Sequence, residues 1–81
     1  MGVELTLLGR TYCHLCDDMW AALAPLAQEF GASVEWVDVD SDSELEQRFG
    51  DLVPVLLFEG AELCHYFLDE AKVRECLAEI R

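Results

Sequence analysis

Apolar residues in this chain switch repeatedly between the continuous run of a buried strand and the three-to-four spacing of a helix. That alternation restricts the fold more than any other feature of the sequence. Residues 3–8 form an apolar, β-rich run closed by Gly9 and read as a buried strand. Residues 13 or 14 to about 30 read as a helix, with Asp17 and Asp18 in the first turn and Gly31 at its end. Leu15, Met19, Trp20, Leu23, Leu26, Ala27 and Phe30 cover more than one stripe. They predict a substantially buried helix, kinked where Pro25 removes a backbone donor. Residues 33–39 are a second strand. Asp40 or Ser41 then caps a short helix, with Glu44 placed to complete a capping box from Ser41, and Leu45 and Phe49 face inward before Gly50. Pro54 opens a third strand at 55–58, and a turn at 59–62 leads into a short fourth strand at about 63–66. Asp69 caps a last helix from 70 to about 80, with Leu68 and Val73 as a hydrophobic staple. Val73, Cys76, Leu77 and Ile80 are its expected buried stripe.

The order is β-α-β-α-β-β-α. A helix between the first two strands requires a crossover, so those strands are parallel, and the turn at Glu59-Gly60 adds an antiparallel hairpin. The expected α/β architecture is a four-stranded mixed sheet flanked by three helices. With 81 residues, 53% of them hydrophobic, the chain is expected to form one domain over 1–81. Such a domain buries roughly 60% of its unfolded surface, a core that does not obviously need staples.

Where the first strand gives way to the first helix the sequence reads Arg10-Thr11-Tyr12-Cys13-His14-Leu15-Cys16. A cysteine pair with this spacing at this junction puts the first sulfur among the unpaired N–H groups of the helix start, which favour a thiolate. The second sulfur lies one turn on, within bonding reach. The layout is that of a thiol–disulfide exchange site, with Cys13 as nucleophile and Cys16 as resolving thiol. A protonated His14 favours the thiolate, whereas Asp17 and Asp18 oppose it. Arg10 is a candidate to stabilise the thiolate or an anionic ligand, and Tyr12 a candidate for the rim that a partner covers.

Acidic side chains number 17 against 5 basic, a formal net charge of −12. Such a balance repels nucleic acid and anionic lipid, since binding either requires cations. Trp20 and Trp36 are therefore assigned to core packing rather than base stacking. No stretch reaches the about 20 apolar residues of a membrane span, and no basic, apolar leader precedes the first strand. The expected location is a reducing cytoplasm, where Cys64 stands as a buried thiol, a free thiol or a partner of Cys76, and Cys76 as a core residue. Cys13, His14 and Cys16 with Cys64 or His65 would supply zinc ligands, but no second Cys-x-x-Cys exists and no metal is expected.

The run Tyr12-Cys13-His14-Leu15-Cys16-Asp17, with Leu26-Ala27 later in the helix and Val53-Pro54-Val55-Leu56 downstream, resembles the glutaredoxin-like branch of the thioredoxin fold, in particular small bacterial glutaredoxin-like proteins. The resemblance spans essentially the whole chain. It implies a cis peptide bond at Val53–Pro54, packed beside the cysteines, where the backbone of Val53 pairs with substrate. Arg10 matches the basic residue that glutathione-using glutaredoxins carry three before the first cysteine. Two departures weaken the glutathione match. Leu52-Val53-Pro54 lacks the threonine hydroxyl of the family's Thr-Val-Pro. The Gly-Gly-Asp segment has no counterpart beyond Asp69. Glutathione is thus a candidate co-substrate with an incomplete motif, and no bound cofactor is expected. Leu7 occupies the place of the buried aspartate of thioredoxins proper. The expected function is a thiol–disulfide oxidoreductase acting on a disulfide-containing protein or a small thiol. The alternatives are a non-catalytic thioredoxin-fold binding module and a metal- or iron–sulfur-binding glutaredoxin-like protein.

Overall fold

Leu5, Leu7 and Leu8 are all buried in the computed structural model, which describes residues 3–79. They lie on β1 (Val3–Gly9), and they face two different cores, which explains why the strand reads as a continuous apolar run rather than an alternating one. Leu5 and Leu7 join the larger cluster. Met19, Leu23 and Leu26 of α1 (His14–Phe30) and Val73 and Leu77 of α3 (Glu70–Glu79) pack there too. Leu8 turns to the opposite face, where it meets Val55 and Leu57 under Leu45 and Phe49 of α2 (Ser43–Phe49). Each fully buried Leu contributes about 1.5–3 kcal/mol of transfer free energy. Glu4 and Thr6 share the face of Leu8 but lie beyond the short α2, and the residues are accordingly polar.

The four strands run in the order β2-β1-β3-β4, with β2 at Ala32–Asp38, β3 at Val55–Phe58 and β4 at Ala61–His65. β1 and β2 are parallel from Val3↔Ala32 to Gly9↔Asp38, the consequence of the α1 crossover. β3 is antiparallel to β1, with Leu8 opposite Val55, and β4 is antiparallel to β3. The fold is therefore the expected mixed sheet with three helices.

Several local expectations change. α1 runs unbroken through Pro25, which is exposed, as is Ala21, the residue whose carbonyl the missing N–H would have bonded. Its buried residues, Cys16, Met19, Leu23, Leu26 and Ala27, form one stripe. Leu15 and Trp20 fall off that stripe and remain 36% and 42% exposed, because the sheet offers α1 a single face. Trp20 makes an edge-to-face contact with Trp36 across 5.8 Å on the outside of that seam instead of entering the core. β2 starts and ends one residue earlier than expected. The chain then makes a single 3-10 turn, Val39–Ser41, and the cap of α2 is Asp42 rather than Asp40 or Ser41. Its carboxylate accepts the Glu44 N–H at 2.8 Å, while the Ser41 hydroxyl donates to the Asp38 carbonyl at 2.6 Å, so no capping box forms from Ser41.

The hairpin turn is only Glu59–Gly60, both with positive φ (51° and 81°), the two-residue geometry that matches strand twist. β4 consequently begins at Ala61, and Tyr66 leaves it. Asp69 caps α3 as expected, accepting the Lys72 N–H at 3.1 Å. Cys76 is half-buried beside Leu63 rather than in the core, since Val73 and Leu77 already fill the contact with α1. Ile80 lies outside the described residues.

Candidate functional site

Three chain segments meet the start of α1 at one end of the sheet. Leu8 pairs with Val55 and Val55 with His65, so Gly9, Pro54 and Tyr66 stand side by side just past the paired strands. Gly9 leaves room for the Trp36 ring of β2: a Cβ at this position would lie 2.5 Å from it. The chain then turns through Tyr12, whose φ of 62° is left-handed and whose side chain is fully exposed. A non-glycine residue held there stores about 1–2 kcal/mol of strain, and it delivers Cys13 to the cap of the helix.

Cys13 is the N-cap of α1. Its backbone is extended, and its Sγ accepts the Cys16 backbone N–H at 3.2 Å. The sulfur sits where orphan N–H groups and the helix dipole stabilise negative charge. Cys13 is half-exposed and Cys16 has no exposed surface. The two sulfurs are paired, with the Cα atoms 5.2 Å apart. Both Asp17 and Asp18 are exposed, as is His14.

Arg10 is engaged by carboxylates beyond β2 and on α2. Its guanidinium donates to both carboxylate oxygens of Asp40, at 3.0 and 3.1 Å, and lies 3.9 Å from Glu46. The Asp40 hydrogen bond holds its pKa above the ordinary value.

The Val53–Pro54 peptide bond is cis, and Pro54 is buried beneath a half-buried Val53. Tyr66 clasps this loop. Its N–H donates to the Pro54 carbonyl and its hydroxyl to the Asp51 carbonyl, each at 2.9 Å, with the backbone in the left-handed region at φ 64°. Beyond it Phe67 is 70% exposed. Leu15, Met19, Tyr66, Phe67 and Leu68 line a cleft of about 170 Å³, with Asp18 at its rim. Sequence reading missed this cleft because it assigned Tyr66 to a strand and Leu15 to a buried helix face. The aromatic pair Tyr66-Phe67, placed immediately before the Leu68-Asp69 helix start, was the available signal.

A wider hollow of about 720 Å³ lies at the other end of the sheet, lined by Val3, Glu4, Thr6, Ser33, Phe58 and Glu59, with no cysteine or histidine in its lining. Cys64 and Cys76 are free thiols, and burial pushes the pKa of each up. Among the described residues no three His, Cys, Asp or Glu side chains are grouped to hold a metal, and no helix is long and apolar enough to cross a membrane.

Residues 4–78 match the family described as glutaredoxin-like domain (DUF836). The chain is 32% identical over 80 residues to uncharacterized proteins of Mycobacterium tuberculosis and Mycobacterium bovis, covering 93% of this chain and 82% of theirs. It is similar in structure to a protein of Nitrosomonas europaea (TM-score 0.85, 36% identity, covering 94% of this chain and 92% of that one). A protein of Xanthomonas campestris is similar too (TM-score 0.71, 39% identity, 93% and 96% covered). Likeness to a Fasciola hepatica thioredoxin, at TM-score 0.62 and 20% identity over 99% of this chain and 82% of that one, shows the fold alone.

Proposed function

Because this chain belongs to the glutaredoxin-like domain family of the thioredoxin fold, we propose that it is a thiol–disulfide oxidoreductase working through Cys13 and Cys16. The observation that carries the reading is the contrast between the two sulfurs. One is half-exposed at a helix N-cap with a backbone donor on it, and the other is sealed beneath it within bonding reach. The Cys13 thiolate attacks one sulfur of a substrate disulfide, forming a mixed disulfide and releasing the other sulfur as a thiolate. Cys16 then loses its proton and attacks the Cys13 sulfur. The second substrate sulfur leaves as a thiolate, and the pair has passed two electrons to the substrate. An external thiol reductant returns the pair to the dithiol, which suits a reducing compartment such as the cytoplasm. Tyr12 and Val53 flank the attacked position, and His14 is the side chain that follows the thiolate in sequence.

Exchange with a small disulfide tests the roles. Cys13→Ser is expected to abolish it, and Cys16→Ser to stop after the first step and accumulate a mixed disulfide visible by mass spectrometry. Undiminished turnover in Cys13→Ser would overturn the assignment.

A further inference from the structure

The cleft beside the cysteine pair and the charge around it bear on the substrate. At about 170 Å³ it is well below the roughly 300–1,000 Å³ of pockets that enclose a small ligand, but it has room for one apolar side chain. Its walls are Leu15, Met19, Tyr66 and Phe67, and fully exposed Tyr12 immediately precedes Cys13. Exposed carboxylates stand near it: Asp18 in its lining, Asp51 in the loop that Tyr66 clasps, and Asp69 and Glu70 at the start of α3, next to Leu68. Among the described residues Asp18 and Asp69 carry no ion pair, whereas Glu70 pairs with Arg74 and Asp51 adds to the negative field on Arg10. Arg10 is held by Asp40 and Glu46, and Arg74 by Glu29 and Glu70. Arg48 lies over the Phe49 ring, and Lys72 lines the Cys76 surface. A carboxylate brought into the cleft would meet Asp18, with no arginine or lysine in the lining. Glutathione, an anionic tripeptide, therefore does not fit the residues present.

We propose that the site selects a protein disulfide whose cysteine is neighboured by an apolar side chain, for the Leu15–Phe67 cleft, and by lysine or arginine, for the acidic rim. This rests on the redox reading above and names its substrate class. Charge complementarity commits the groove to that occupant: opposite charge raises encounter rates by about 10- to 1,000-fold at low salt, and like charge lowers them. The apolar anchor supplies the contact that holds the mixed disulfide in place.

The test uses the reduced protein and four disulfides. Two are homodimers of short peptides identical except for flanking residues, Lys-Cys-Phe-Lys and Glu-Cys-Phe-Glu. The others are glutathione disulfide and the neutral hydroxyethyl disulfide. Released thiol is followed by chromatography. The cationic peptide is expected to react at least about tenfold faster than the anionic one and than glutathione disulfide. That margin should collapse in about 1 M salt, where the screening length is about 3 Å. Phe67→Ala is expected to lower the ratio of the cationic-peptide rate to the hydroxyethyl disulfide rate by about fivefold or more. Asp18→Asn should narrow the gap between the two peptides. Equal peptide rates, a gap insensitive to salt, or glutathione disulfide reacting as fast as the cationic peptide would overturn the substrate assignment and leave the redox reading standing. No reaction with any of the four, hydroxyethyl disulfide included, would bring down both.

Discussion

Cys64 stands on β4 opposite Leu56 and inside the larger core cluster, and burial raises its pKa above the ordinary 9.0, opposed in part by a backbone hydrogen bond at Asp69. The folded chain therefore keeps this proton at a pH where the unfolded chain has lost it. The associated stability is fully present below pH 9.0 and drains away as the pH rises through the folded-state pKa. In the oxidised protein, with Cys13 and Cys16 paired, stability by urea denaturation is expected to fall between about pH 8 and about pH 10 more steeply than in Cys64→Ala. Equal slopes would show that the buried thiol contributes nothing. The same burial predicts that alkylating reagents modify half-buried Cys76 well before Cys64 in the native state.

At the scale of elements, α2 shows how a weak helix is kept. Seven residues are too few to be helical alone in water, so α2 depends on its cap and on Leu45 and Phe49 covering Leu8, Val55 and Leu57. The cap is the Asp42 carboxylate, bonded to the Glu44 and Leu45 N–H groups. Asp42→Ala is expected to cost about 1 kcal/mol, whereas Ser41→Ala, which removes an exposed hydroxyl from the preceding turn, stays within about 0.5 kcal/mol. Comparable losses in thermal melts would return the cap to Ser41. Because α2 shields the face that carries Pro54 into the site, a loss there is also expected to loosen the Val53–Pro54 loop.

For the whole molecule the dominant electrostatic fact is the net charge of −12. The ion pairs of Arg10 and Arg74 are at the surface and contribute little each, so they do not offset the mutual repulsion of the carboxylates. Raising ionic strength from about 0.01 to about 0.5 M is expected to raise Tm, because screening weakens long-range repulsion more than the close pairs. A falling Tm would mean that the pairs dominate.

Element order and the position of Cys13-x-x-Cys16 were legible because both depend on neighbours along the chain: hydrophobic period, a cap, a turn. The parallel pairing of β1 with β2 followed too, since a crossover leaves no other arrangement. Which stripe of α1 is buried did not follow. Leu15, Met19 and Trp20 are equally apolar, and only the single sheet face available to the helix leaves Leu15 and Trp20 outside. Nor could local pattern tell that Arg10 would be taken by Asp40, thirty residues away, or that Tyr66 would quit its strand to clasp Pro54. Periodicity fixes what a segment is, whereas exposure and charge pairing depend on which surfaces of distant segments reach each other first. The place of the cysteine pair was written in the chain, and the surface around it was decided by packing.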